Sequence, residues 1–201
     1  MYIPNQFQFR DKAEKIAFMK QYSFATIITN KGQIPIATQL PFFIYDTRDK
    51  LVLSSHFAIA NEQVKYIETN ISLIIFTEPH AYISPVHYDK VESVPTWDYI
   101  SIHAYGKAKI LEDEGSKIKV LEEMIGFYDQ NYLAQWNSLS DKFKIGMMRG
   151  IVAFELEVTE LQGQKKISQN KTEVERQRIA NHLEKGGSTV ENDLATYIRK
   201  L

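Results

Sequence analysis

The chain contains no cysteine, which excludes a disulfide framework, a thiolate metal site and a cysteine nucleophile. It also lacks any run approaching the ~20 continuous apolar residues of a membrane span, so no membrane partner is expected. The opening Met1-Tyr2-Ile3-Pro4-Asn5 has no basic segment leading into an apolar run, so no secretory signal is expected and a cytoplasmic location is the default. Charge of one sign is missing too. A net charge of −1 and a pI near 6.5 give no global attraction to nucleic-acid phosphates. From Lys165 onward eight basic residues stand against five acids, so any direct contact with DNA is expected through this weakly basic C-terminal region. Several motifs are absent: a G-x-S-x-G elbow, a G-x-G-x-x-G or Walker A loop, and H-E-x-x-H. His56, His80, His87 and His103 fall in no metal-ligand spacing, so no metal site is expected. What is present is an ordinary globular balance. Apolar residues make up 44% and charged residues 24% of 201, enough for one medium domain with a well-buried core.

Periodicity predicts mixed elements. Ala13, Ile16 and Ala17 among charged neighbours predict a helix over 11–22. The β-branched run 24–29 predicts a strand, with turn residues at Asn30-Lys31-Gly32 and a returning strand over 34–45. Pro35 and Pro41 lack ladder donors, which marks that second strand as an edge or a bulged strand. A third strand is expected at 51–55 and a helix between 58 and 69. The apolar run 71–76 reads as a strand buried on both sides, and 77–96, punctuated by Pro79, Pro85 and Pro95, as a long connection of functional interest. Residues 97–111 alternate as a strand. Helices are expected over 116–132, with Ser116 as N-cap, and from Ser140 to Arg149-Gly150. Residues 151–161 form a last alternating strand, and the tail from Thr172 is helical with a break at Gly186-Gly187. Strands separated by short helices without a βαβ rhythm indicate a mainly β, α+β architecture: a β-barrel with peripheral helices. A barrel over 1–165 and a C-terminal helical extension over 166–201, packed on the barrel or on a dimer partner, are the expected organisation.

Several phrases in fixed order carry a resemblance: Met1-Tyr2-Ile3-Pro4, Pro35-Ile36-Ala37-Thr38-Gln39-Leu40-Pro41, Ser55-His56-Phe57-Ala58, Pro79-His80-Ala81-Tyr82-Ile83-Ser84-Pro85, Val94-Pro95-Thr96-Trp97-Asp98-Tyr99, His103-Ala104-Tyr105-Gly106 and Lys166-Ile167-Ser168-Gln169-Asn170-Lys171. Up to about residue 180 the chain resembles the PaiB-type family, whose fold is similar to the flavin-mononucleotide (FMN)-binding split β-barrel of pyridoxamine-phosphate oxidases. The resemblance implies FMN as cofactor, a homodimer with two flavin sites at the subunit interface, and a role as negative transcriptional regulator of genes for sporulation and secreted enzymes. A flavin-dependent oxidoreductase acting on a small molecule is the alternative, with Arg149 its only candidate for orienting a substrate.

A flavin needs donors for its phosphate, partners along the polar edge of its ring and a flat apolar wall. By analogy with split barrels, Ile36, Ala37, Thr38, Gln39 and Leu40 run along the ring. Ser54, Ser55 and His56 lie where the phosphate would sit, and Asn61 and Gln63 add donors at a helix start. Ordinary strand-end capping is the plainer account of Ser55 and His56. An acidic Glu62 beside a phosphate is electrostatically unfavourable, and Asp98 stands where the family commonly has Asn. Trp97, Tyr99, Ser101 and His103 share one strand face, either as an aromatic core face or with Trp97 near the ring and Ser101 or His103 near its heteroatoms. Lys166, Ser168, Gln169 and Asn170 would cap the cofactor across the dimer, or form a solvated polar turn.

Overall fold

The computed structural model describes residues 1–201 and carries seven strands and six α-helices. The strands are β1 (Phe24–Lys31), β2 (Ile34–Pro41), β3 (Phe43–Asp46), β4 (Leu51–Ala58), β5 (Ile71–Ile83), β6 (Thr96–Ile110) and β7 (Ile151–Lys166). The helices are α1 (Lys12–Gln21), α2 (Glu114–Tyr128), α3 (Tyr132–Ser138), α4 (Asp141–Met148), α5 (Glu173–Lys185) and α6 (Thr189–Arg199). The strands join in one sheet in the order β2-β1-β5-β6-β7-β4-β3, with antiparallel pairing of β1 to β2 and β5, and of β4 to β3 and β7. The chain divides into two compact units, one of residues 1–15, 77–102 and 162–201, the other of residues 16–76 and 103–161.

In the second unit the sheet closes on itself for a covalent reason. β2 and β3 are its two outermost strands, yet only Phe42 separates them in sequence, so the sheet must curl until its edges meet. Ser55 Oγ donates to the Pro41 carbonyl at 2.7 Å across that closure. Phe42 itself is fully buried and meets the rings of Phe76 and Phe154 edge-on, while Phe57 stacks on Phe154 at 5.0 Å. These four aromatics, with Ile27, Leu53 and Ile74, form the core. β1 turns into β2 through Gly32-Gln33, with Lys31 opposite Ile34 and Gly32 at φ 63, the positive value that the first position of a tight hairpin turn requires. The two prolines lie on the edge strand β2, where a missing ladder donor is tolerated. In the first unit α5 and α6 pack through Ile179, Ala180 and Leu183 against Leu194, Ala195 and Ile198, all buried. A capping box joins Thr172 and Glu175 at the start of α5. Glu175 also accepts from the Asp89 backbone N–H at 2.9 Å, and Arg178 pairs with Asp89 at 2.6 Å, which ties α5 to the stretch after β5.

Several sequence expectations are corrected. The single strand over 34–45 is two, broken at Phe42, because the closure bends the chain there. The helix over 58–69 is only a 3-10 turn at Glu62–Lys65, since Gln63 is drawn into the core and holds the segment in turns. β5 is not buried on both sides but alternates, with Ser72, Ile74 and Phe76 inward, and it runs on to Ile83, well into the stretch read as a connection. α2 starts at Glu114, capped by Asp113, whose carboxylate accepts from Ser116 N at 2.8 Å, so Ser116 lies inside the first turn. It ends at Tyr128, and α3 is a separate short helix. In α1 the buried side is Ile16, Phe18 and Met19, with Ala13 and Ala17 exposed. β7 continues five residues past Leu161, to Lys166.

Candidate functional site

Strand geometry divides the residues expected along a flavin. On β2, Thr38 lies opposite the fully buried Ile27 and shares its inward side with Ile36 and Leu40, whereas Ala37 and Gln39 are exposed on the other side. On β4, Ser55 faces inward and is used by Pro41, while Ser54 and His56 face the other way. These three do not end the strand, which runs on to Ala58. Ser54 Oγ and His56 Nδ1 are buried atoms without any hydrogen-bond partner. Burial pulls the His56 pKa below its ordinary value, so the imidazole is neutral at pH 7 and offers a hydrogen bond, not a positive charge.

Asn61 and Gln63 belong to a closed network rather than to an open cradle. Thr38 Oγ1 donates to Gln63 Oε1 at 2.8 Å and accepts from Asn61 Nδ2 at 3.0 Å. Gln63 Nε2 donates to the Ile27 carbonyl at 3.1 Å and to Thr29 Oγ1 at 3.0 Å, and Thr29 is bonded in turn to Ser72 at 2.7 Å. Asn61 Oδ1 accepts from Gln63 N and caps the 3-10 turn. Every polar group of the Gln63 side chain is spent, as a polar side chain at 1% exposure requires. Glu62 points outward and pairs with Lys31 at 2.6 Å, which neutralises the acid that sequence placed beside a phosphate.

Along β6 the core face is Asp98, Ile100, Ile102 and Ala104, each at 0% exposure. Trp97, Tyr99, Ser101 and His103 form the opposite face, so they are not the aromatic core face that the sequence left open. His103 Nδ1 is a third buried atom without a partner, and burial lowers its pKa as well. Trp97, 54% exposed, stands edge-on to Tyr82 at 6.2 Å and near His80 at 6.0 Å. Together with Val190 and Glu191 of α6 they line an open groove of about 300 Å³. Arg149 is exposed at the C-cap of α4.

The segment after β7 is neither free nor merely solvated. Gln169 folds back on it, Oε1 accepting from Ile167 N at 2.8 Å and Nε2 donating to the Lys165 carbonyl at 2.5 Å. Asn170 is exposed. Ser168 sits at φ 59, a left-handed conformation uncommon outside glycine, and donates to Asp98 Oδ2 at 2.5 Å. Lys166 donates to Thr96 and, at 2.7 Å, to the Trp97 carbonyl. Sequence reasoning missed Tyr88, which meets Lys171 of this segment, the ammonium 3.5 Å above the ring. The proline-rich stretch 77–96 and the segment 166–171 were the two sequence features that pointed to that region.

The barrel unit fits a flavin in one respect that can be checked. Ser54, His56 and His103 leave buried hydrogen-bonding atoms unmatched, and a heteroatom-rich ligand satisfies such atoms.

Comparison with known proteins bears on the same assignment. A family model described as "Putative FMN-binding domain" matches residues 1–160. The chain is 34% identical over 187 residues to the protease synthase and sporulation protein PAI 2 of Bacillus subtilis, covering 92% of this chain and 89% of that protein. An uncharacterised protein of Emericella nidulans is 25% identical over 86% of this chain and 82% of its own. Among solved structures, the flavocytochrome Anf3 from Azotobacter vinelandii superposes with a TM-score of 0.63 at 13% identity, over 82% of this chain and 72% of that one. The FAD and heme binding protein from Mycobacterium smegmatis gives 0.61 at 12%, over 79% and 73%. At such identities the likeness is one of fold, the split β-barrel. The chain belongs to the FMN-binding split-barrel family of the PaiB type, and FMN is its cofactor.

Proposed function

We propose that this protein is an FMN-binding negative transcriptional regulator of the PaiB type that works as a homodimer. The observation that carries the reading is the 34% identity to the Bacillus subtilis sporulation protein, sustained over 92% of this chain and 89% of that one. Likeness that continues beyond the flavin-binding family match at residue 160, into the C-terminal helices, supports a shared role and not only a shared cofactor. Bound FMN supplies a redox-active, strongly absorbing ring. The chain's part is to hold it. Ser54, His56 and His103 are the groups assigned to its heteroatoms, because their buried polar atoms lack protein partners. A neutral His56 suits a ring or ribityl heteroatom better than the phosphate.

The weakly basic C-terminal region is a poor autonomous DNA surface. Arg178 pairs with Asp89, Arg199 with Glu184 at 2.7 Å and Lys165 with Glu14 at 3.2 Å, so three of its eight cations are neutralised locally. Regulation then proceeds through the assembled dimer, with the flavin state altering that assembly. The test is the visible spectrum of freshly purified protein together with its mass in solution, followed by a gel shift against its own upstream region at several salt concentrations. Bound oxidised flavin, twice the chain mass and a retarded band support the reading. Colourless protein that refuses added FMN refutes its flavin half, and no preference for any upstream DNA refutes the direct-repressor half.

A further inference from the structure

The unit that contains α5 and α6 holds a second, smaller cavity of about 140 Å³. Two of its lining side chains are buried with an unsatisfied polar atom. Asp98, fully buried, has Oδ2 bound by Ser168 while Oδ1 has no partner, and the hydroxyl of Tyr88, 8% exposed, has none either. Orphaned buried oxygens are uncommon and destabilising, and a bound ligand is one way to satisfy them. Two cations lie on the same wall. Lys166 is anchored by Thr96 and the Trp97 carbonyl, and Lys171 hangs over the Tyr88 ring. Ser168, which completes the wall, is held in its left-handed conformation, the kind of strain that gathers at ligand clamps.

These features define a ligand by charge, donor pattern and size. Two ammonium groups and one buried carboxylate leave a single positive charge, which one negative charge neutralises. The orphaned Asp98 oxygen accepts, so the ligand must also carry a donor close to its anionic group. The Tyr88 hydroxyl donates, which suits a carboxylate oxygen beside Lys171. The volume corresponds to roughly four or five waters, room for a molecule of about six or seven heavy atoms. The geometry points to a binding site for a small hydroxycarboxylate, of the glycerate or lactate class, its carboxylate held by Lys171 and Tyr88 and its hydroxyl by Asp98. The same unit ties α5 to the stretch after β5 through Glu175 and Asp89, and Tyr88 adjoins Asp89. Occupancy therefore bears on a segment that anchors the C-terminal helices, and it gives a regulator a metabolite input separate from its flavin.

The shared chemistry of an anion with a neighbouring hydroxyl also exists in the ribityl-phosphate end of FMN, so the test separates the two. Titration calorimetry on the full chain, at constant ionic strength, is run with glycerate, lactate, propionate, inorganic phosphate and FMN. Glycerate and lactate are expected to bind at least tenfold more tightly than propionate, which lacks the hydroxyl, and more tightly than phosphate. Lys171→Gln and Tyr88→Phe are each expected to weaken glycerate tenfold or more, with Lys171→Arg within a few-fold of the parent. If Tyr88→Phe fails to fold, Lys171→Gln, at a part-exposed position, still decides the matter. Four results overturn the proposal: no heat beyond sodium chloride, phosphate or propionate as good as glycerate, variants that bind like the parent, or FMN competing directly with glycerate. FMN binding itself is read separately by absorbance, so failure here leaves the flavin reading standing.

Discussion

Replacing Asp98 by asparagine removes a negative charge that the fold holds away from water, and the effect depends on pH in a definite direction. Burial pushes the Asp98 carboxyl up to about 6 from an ordinary 3.8, against the opposing hydrogen bond from Ser168 and the attraction of Lys166. A carboxyl raised on folding contributes stability that is fully present below its unfolded pKa and is lost as pH rises through its folded pKa. Asp98→Asn is therefore expected to stabilise the protein at pH 7–8 by on the order of 1–3 kcal/mol, with the gain shrinking between pH 6 and 4. Thermal unfolding at a series of pH values checks it; a gain that grows on acidification contradicts it. Ser168→Ala removes the hydroxyl donor to Asp98 Oδ2 and should destabilise by about 1–3 kcal/mol at neutral pH. That loss should be much smaller in the Asp98→Asn background, because the two residues act as a pair. His56→Ala is expected to raise the FMN dissociation constant about tenfold, the value of one lost hydrogen bond, with little change in unfolding of the flavin-free protein. Gln63 illustrates why residue roles were hard to read from sequence. Its amide looked like a phosphate donor, but its partners Ile27, Thr29 and Thr38 lie 25 to 36 residues away, and no local pattern announces such a bond.

At the scale of elements, two contacts carry disproportionate weight. Gly106 on β6 leaves no space for a side chain: an added Cβ would lie 2.2 Å from the Glu157 carbonyl oxygen and 2.5 Å from Leu156. Gly106→Ala should force β6 and β7 apart and destabilise the chain by about 3 kcal/mol or more, at the upper end of overpacking effects, readable as a lower denaturant midpoint. Thr172→Ala removes the hydroxyl half of the capping box on α5 and should cost about 1 kcal/mol. Strand existence and the hairpin at Gly32 were legible because alternation and turn chemistry are local. Helical segments were less so. The expected helix at 58–69 dissolved into turns because the Gln63 network drew its backbone inward, and β5 outran its apolar run because polar residues continue the ladder once neighbouring strands supply partners. Local periodicity records which side of an element is buried, not how far the ladder extends.

For the whole molecule, the closed sheet follows from connectivity: strands adjacent in sequence across Phe42 are the two edges of the order β2-β1-β5-β6-β7-β4-β3. Phe42→Ala should cost about 3–5 kcal/mol, since its ring meets Phe76 and Phe154 at the closure; a loss below 1 kcal/mol in urea unfolding would show that the seam is held elsewhere. Strand alternation was sufficient for the fold class, and the ordered phrases from Met1 to Lys171, through their resemblance to a known family, for the family and its cofactor, because these are recorded in residue identity and order. What the sequence left open was which side chains are free to bind. Ser54 and His56 kept unmatched atoms while Ser55, their neighbour, did not, and Asp98, noted only as a departure from Asn, proved to be the buried wall of a cavity with Tyr88 and Lys171. Hydrogen-bond satisfaction and burial are properties of groups brought together from distant parts of the chain, so only the tertiary structure could decide them.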